Sequence, residues 1–170
     1  SWGAKMDGSQ AVNKFGNSYA YSPIDNWKNF YRTGLSNQTS VAVSGSDEKS
    51  SFRLGLNNVY EGSILPNAKS NQRGANLNTT YKITPKVQLG LNANYMFEFV
   101  DNRANLSDGN GNTNASLLYL ANGYDVRWLE GEVDEFGKEL QPGNNVYFNN
   151  PYFLQYRKSN KSTKKRLTGG

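Results

Sequence analysis

The residues in this sequence best equipped for chemistry are the carboxylates Glu130, Glu132, Asp134, Glu135 and Glu139. Paired carboxylates can trade a proton as general acid and base. A solvated acidic loop accounts for the same cluster. The chain has no histidine and no cysteine, so the commonest general base, the usual zinc ligands and a thiol nucleophile are absent. An enzyme is not expected.

A second candidate is Asp108-Gly109-Asn110-Gly111-Asn112, which begins like a calcium loop with alternating oxygen ligands. Its sixth position is Thr113 where glycine is needed, and its twelfth is Tyr119 where a bidentate glutamate is needed. A loop tip is expected, with loose calcium contact at Asp108 as the most it offers, and no cofactor. A third candidate is the aromatic set Tyr124, Trp128, Tyr147, Phe148, Tyr152 and Phe153. Such rings can stack on a sugar or grip a peptide, and they can equally pack a loop on itself or against a partner protein.

The last candidate is cationic. The net charge is +5, and much of the excess sits at Lys158, Lys161, Lys164, Lys165 and Arg166. A tract of this kind reads as a solvated loop end before it reads as a polyanion site, and no nucleic-acid partner is expected.

Composition sets the first limit on the elements that hold these residues. Hydrophobic residues make up only 36%, yet the aromatic share is 13%, and mean hydropathy is −0.76. Disordered chains are polar but poor in aromatics, so part of this chain is expected to fold and bury surface. No apolar run is long enough for a membrane-spanning helix, whereas a spanning strand buries only alternate residues and would escape that search.

Four segments alternate apolar and polar with period two. Thr39, Val41 and Val43 oppose Gln38, Ser40 and Ser44; Phe52, Leu54 and Leu56 oppose Arg53, Gly55 and Asn57. Ala75, Leu77, Thr79 and Tyr81 oppose Gly74, Asn76, Asn78 and Thr80. The longest sets Val87, Leu89, Leu91, Ala93, Tyr95, Phe97 and Phe99 against Gln88, Gly90, Asn92, Asn94 and Glu98. Between them come a tight polar turn at Ser46–Ser50, a longer connection at Tyr60–Asn71, and a second tight turn at Ile83–Lys86 that contains Pro85. Strand pairs joined by alternately short and long connections predict an all-β, antiparallel up-and-down meander.

Periodicity alone leaves two destinations for this sheet. One is a soluble sheet, half-buried, with the aromatics as core. The other is part of a transmembrane barrel. The polar face favours the barrel, being rich in Asn, Gln, Gly, Ser and Thr, as suits a hydrated lumen; so does the aromatic end of the fourth strand, where a girdle would meet lipid headgroups.

In the barrel reading, Val41, Val43, Phe52, Leu54, Leu56, Leu77, Tyr81, Leu89, Leu91, Tyr95, Phe97 and Phe99 face lipid, while Asn76, Asn78, Gln88, Asn92 and Asn94 face the lumen. Short turns are periplasmic and long loops extracellular. Residues 1–35 then form an outer loop segment, 36–100 four barrel strands, 101–163 a long outer loop and 164–170 the start of another strand. About eight strands is the practical minimum for a closed barrel, so either more chain completes this one or its native context is another; any export signal lies upstream or was never there.

Several segments, in order, resemble the SusC/RagA-type TonB-linked outer-membrane transporters. Ser1-Trp2-Gly3-Ala4-Lys5-Met6-Asp7-Gly8 is similar to the loop signature that follows the plug domain in that family. Tyr21 to Gly34, with Pro23, Asp25-Asn26-Trp27, Phe30 and Thr33-Gly34, resembles the segment leading into a strand. Val41-Ala42-Val43-Ser44-Gly45-Ser46 followed by Lys49 and Phe52-Arg53-Leu54 resembles the family's strand, turn and strand. Glu61 to Asn67 is similar to its Gly-Ile-hydrophobic-Pro-Asn loop. Leu120 to Leu129, with Asp125 and Trp128, and Asn150-Pro151-Tyr152 resemble a later extracellular loop.

The resemblance implies a plugged barrel of about 22 strands, driven by TonB and capped by a SusD-like surface lipoprotein. It would import glycan or peptide fragments across the outer membrane, with glycan favoured. It also implies partners outside this sequence: the plug, the closing strands and the TonB-contacting segment. The basic run would lie where a strand re-enters the outer leaflet, within reach of lipopolysaccharide phosphates. The competing expectations are a soluble β-rich surface binding or adhesion module and an inactive truncated product.

Overall fold

The computed structural model describes residues 3–103, 105–107, 111–143, 148–158 and 160–170. It divides into two compact units. One combines Ser1–Arg32 with Ala104–Lys158, and the other combines Thr33–Arg103 with Ser159–Gly170.

The second unit is an open five-stranded antiparallel meander. Its strands are β3 (Leu35–Ser46), β4 (Ser50–Gly62), β5 (Lys69–Thr84), β6 (Val87–Asp101) and β7 (Lys161–Gly169), in sequence order across the sheet. The four strands expected from periodicity are β3 to β6, and each extends beyond its alternating stretch. The expected connection at Tyr60–Asn71 shrinks to residues 63–68, because the polar ends of β4 and β5 pair as well as their apolar middles do: Tyr60 opposes Asn71 and Gly62 opposes Lys69. β7 starts at Lys161, earlier than the expected 164, and pairs with β6 from Lys161↔Asp101 to Gly169↔Ala93.

Local chemistry fixes the turns. Asp47 closes the β3–β4 turn: its Oδ1 accepts from the backbone N–H of Lys49 at 2.8 Å and Ser50 at 2.6 Å, an Asx arrangement that substitutes for backbone partners. Those bonds hold its carboxyl below the usual aspartate range. At the other end of the sheet, Leu65 and Pro66 are buried in the β4–β5 connection, and Asn67 adopts a left-handed φ of 56°. Asn102, also left-handed at 53°, donates through Nδ2 to Asn67 O at 2.9 Å and accepts at Oδ1 from Asn160 N. One side chain thus fastens the end of β6 to the β4–β5 connection and to the approach to β7. Asparagine tolerates that backbone better than most residues.

The first unit is made from segments expected to be outer loops, and they carry short regular elements that no periodicity announced. Residues 1–35 contain a hairpin of β1 (Gln10–Val12) and β2 (Ser18–Ala20), followed by α1 (Asn26–Phe30). Residues 101–163 contain α2 (Thr113–Leu118), a 3-10 turn at Val126–Leu129 and α3 (Pro151–Tyr156). The helices and the 3-10 turn share a core: Phe30, Leu117, Val126, Leu129, Tyr152 and Leu154 are all buried. Each helix is capped by a polar side chain of the residue before it, Asp25, Asn112 and Asn150 respectively, which supplies acceptors for backbone N–H groups that a short helix cannot satisfy internally.

Candidate functional site

The two faces of the sheet differ sharply in chemistry, and the register shows how. Cross-strand rows on one face read Gly45–Phe52–Thr79–Leu91, then Val43–Leu54–Leu77–Ala93, then Val41–Leu56–Ala75–Tyr95–Leu167. Tyr81 opposes Leu89 below them. Thr39–Asn58–Arg73–Phe97–Lys165 and Asn37–Tyr60–Asn71–Phe99–Thr163 follow above. All twelve residues expected to share an apolar face do share it.

Within its own unit, no second layer of described residues covers that face. Val41 is 61% exposed, Val43 58%, Leu56 53%, Leu89 59% and Leu91 50%. Burying a side chain of this size is worth about 2 kcal/mol, so a face of this composition left in water forfeits most of what its residues could contribute.

The opposite face carries Asn76, Asn78, Gln88, Asn92 and Asn94 as expected, together with Ser51, Arg53, Asn57, Gln72, Thr80 and Glu98. Its polar groups bond to one another. Ser51 Oγ and Thr80 Oγ1 are 2.7 Å apart, Asn94 Nδ2 donates to Asn92 Oδ1 at 2.9 Å, and Ser70 Oγ donates to Glu61 Oε2 at 3.0 Å. Glycines make room for the amides: Gly55 pairs with Asn76 and Gly74 with Asn57. A Cβ at Gly55 would fall 2.7 Å from Asn76 Oδ1, and one at Gly74 would overlap Asn57 Oδ1. In each pair the amide occupies the space a side chain at the glycine of the next strand would need.

At the upper end of the apolar face, Tyr60, Lys69, Asn71, Arg73, Phe97 and Phe99 line a groove of about 300 Å³. Phe97 and Phe99 were expected there. Lys69 and Arg73 were not, since they precede the alternating stretch of β5; their pairing with Gly62 and Asn58 is what sets their side.

In the first unit the expected ligand-binding aromatics separate. Tyr124 and Trp128 meet edge-on at 4.9 Å, and Trp128 meets Tyr19 at 4.8 Å. Tyr19 lies in β2, too short for any periodicity to reveal. The Tyr124 hydroxyl is buried with no hydrogen-bond partner among the described residues, and burial pushes its pKa up to about 12. Tyr152 is a core residue: it is 5% exposed and packs edge-on against Phe30 at 5.0 Å. Burial, and then the nearby Glu130, raise its pKa. Phe148 stacks on Tyr119 at 4.2 Å. Tyr147 lies outside the described residues, as do Asp108 and Ser1-Trp2.

The acidic residues have structural partners. Glu132 pairs with Arg157 at 2.6 Å, Glu139 accepts from Asn149 Nδ2 and the Asn150 N–H, and Asp134 accepts from the backbone of Phe136 and Lys138. Among the described residues no group of acids is arranged to hold a metal ion. Asp125 caps the 3-10 turn and grips Arg127 through both carboxylate oxygens. Burial alone would raise its pKa, but the hydrogen bonds and charge of Arg127 outweigh it and leave the pKa lowered.

No family model matches the chain, and no curated protein matches it in sequence.

Proposed function

We propose that this chain forms barrel wall and outer loops of a TonB-dependent outer-membrane importer of the SusC/RagA type. The observation that carries the proposal is the uncovered apolar face set back to back with an amide-rich face on long antiparallel strands. Lipid on one side and a hydrated lumen on the other satisfy both faces at once. The outer edges of β3 and β7 pair with no strand among the described residues, and barrel closure is the arrangement that removes such edges.

In this reading the wall residues contribute shape and hydration. The amides of Asn76, Asn78, Asn92 and Asn94 keep a passing solute solvated without holding it. Recognition falls to the compact unit formed by residues 1–32 and 104–158, presented outside the cell and set against a SusD-like lipoprotein. TonB would act through a plug domain outside this sequence, and the cargo would be glycan or peptide fragments. No catalytic role is assigned.

The test is fractionation of cells producing the protein. It is expected to sediment with the outer membrane, to resist alkaline extraction and to require detergent. Recovery as a folded, detergent-free monomer would favour a soluble surface module instead.

A further inference from the structure

The basic tract is divided by the pleat of β7. Lys164 and Arg166 stand on the amide-rich face, opposite Glu98 and Met96. Lys161 and Lys165 stand on the apolar face, opposite Asp101 and Phe97. Two further cations of that face come from β5: Arg73 in the row of Phe97 and Lys165, and Lys69 in the row of Asp101 and Lys161. Lys161, Lys165, Lys69 and Arg73 form no ion pair with any described residue, whereas Lys164 pairs with Glu98 at 3.3 Å on the other side. Asp101 is the one carboxylate that the strands place on the apolar face, so positive charge there is in clear excess.

Arg73 and Lys165 lie in the row of Phe97, and Lys69 and Lys161 lie in the row beyond that of Tyr60 and Phe99; Lys69 and Arg73 line the groove with those rings. Aromatic rings and snorkelling cations at one level are what the boundary between hydrocarbon and headgroups selects. A guanidinium there can hold a phosphate through two parallel N–H donors, and ammonium groups beside it add charge without fixed geometry.

We propose that Lys69, Arg73, Lys161 and Lys165 form a binding site, on the outward side of the sheet, for the phosphates of a phosphorylated glycolipid in the outer leaflet. The groove between Tyr60, Phe97 and Phe99 takes the apolar part adjoining the headgroup. This rests on the membrane reading given above and adds to it a lipid class and a set of residues. Charge complementarity selects that occupant: a zwitterionic headgroup would leave the four cations short of counter-charge.

The experiment compares binding of the protein to phosphatidylcholine vesicles that contain diphosphoryl lipid A with binding to matched vesicles that contain its dephosphorylated form. Tighter binding to the phosphorylated vesicles is expected, weakening as salt rises. The triple variant Lys69→Gln, Arg73→Gln, Lys165→Gln is expected to lose about tenfold or more of that preference. The double variant Lys164→Gln, Arg166→Gln, drawn from the same tract on the other face, is expected to keep it. Unchanged far-ultraviolet circular dichroism checks that both variants fold. Equal losses in the two variants would overturn the proposal, because the tract would then act as undirected charge. No preference for phosphorylated vesicles, with nitroxide labels on the aliphatic rows still reporting contact with lipid, would overturn this site and leave the membrane reading standing. No contact of the aliphatic rows with lipid would overturn both.

Discussion

Lys164 Nζ lies 3.3 Å from Glu98 Oε2 across the β6–β7 pair, while the next residue, Lys165, turns to the other face beside Phe97. The contrast shows how a single basic run is shared between two environments. The pair itself is partly exposed, with Lys164 58% and Glu98 26% accessible, and exposed ion pairs contribute little. Glu98→Gln is accordingly expected to change stability by less than about 1 kcal/mol in denaturant titrations. A larger loss would mean that β7 depends on this contact more than on its backbone pairing.

The apolar face gives a sharper prediction. Leu77 sits in the middle of the row Val43–Leu54–Leu77–Ala93. In a bilayer, Leu77→Arg is expected to cost roughly 2–4 kcal/mol, whereas Asn92→Arg on the opposite face shifts stability by under about 0.5 kcal/mol. Equilibrium unfolding from lipid vesicles reads both. Similar small effects for the two substitutions would indicate that both faces meet water.

Asn150 is fully buried and serves four neighbours. Its Oδ1 accepts from Tyr152 N at 2.8 Å and Phe153 N at 3.3 Å, its Nδ2 donates to Leu129 O at 2.9 Å, and its backbone N–H donates to Glu139. Asn150→Ala removes the cap of α3 and strands the Leu129 carbonyl, for a loss of about 2–3 kcal/mol. Asn150→Asp keeps the acceptor and loses the amide donor, and is expected to fall between the two. Thermal unfolding followed by aromatic circular dichroism orders the three proteins.

Tyr124 sets an alkaline limit on the first unit. Its pKa rises from 10.0 to about 12 because burial disfavours the phenolate. The neutral form is favoured on folding, so its contribution is complete below pH 10 and falls away as pH rises towards about 12, since the unfolded chain releases its proton first. Tyr124→Phe is expected to flatten the loss of stability over that window. An unchanged profile would show that other groups set the alkaline limit.

Much of the sheet was legible because strand alternation is a local signal: Leu89, Leu91 and Ala93 against Gly90, Asn92 and Asn94 identify β6 without further help. The signal fades where both faces are polar. Lys69 to Arg73 in β5 and Lys161 to Arg166 in β7 show no apolar phase, so their strand membership depends on partners outside the segment, in β4 and β6. The helices were missed for a different reason. Thr113–Leu118 and Pro151–Tyr156 are too short to display a helical period, and their caps, Asn112 and Asn150, resemble ordinary loop asparagines. Tyr152 shows the same limit at the candidate site: ring chemistry is visible in sequence, but burial against Phe30 is a tertiary fact.

The account stands on the environment of the two faces, and site-directed spin labelling reads it directly. The chain has no cysteine, so a nitroxide can be attached singly at Leu89→Cys, Gly90→Cys, Leu91→Cys, Asn92→Cys, Ala93→Cys and Asn94→Cys in the membrane-reconstituted protein. Collision rates with dissolved oxygen and with a water-soluble nickel chelate are then compared along β6. The predicted result is a period-two alternation, with oxygen dominating at positions 89, 91 and 93 and nickel at 90, 92 and 94. Nickel accessibility at all six positions would contradict it.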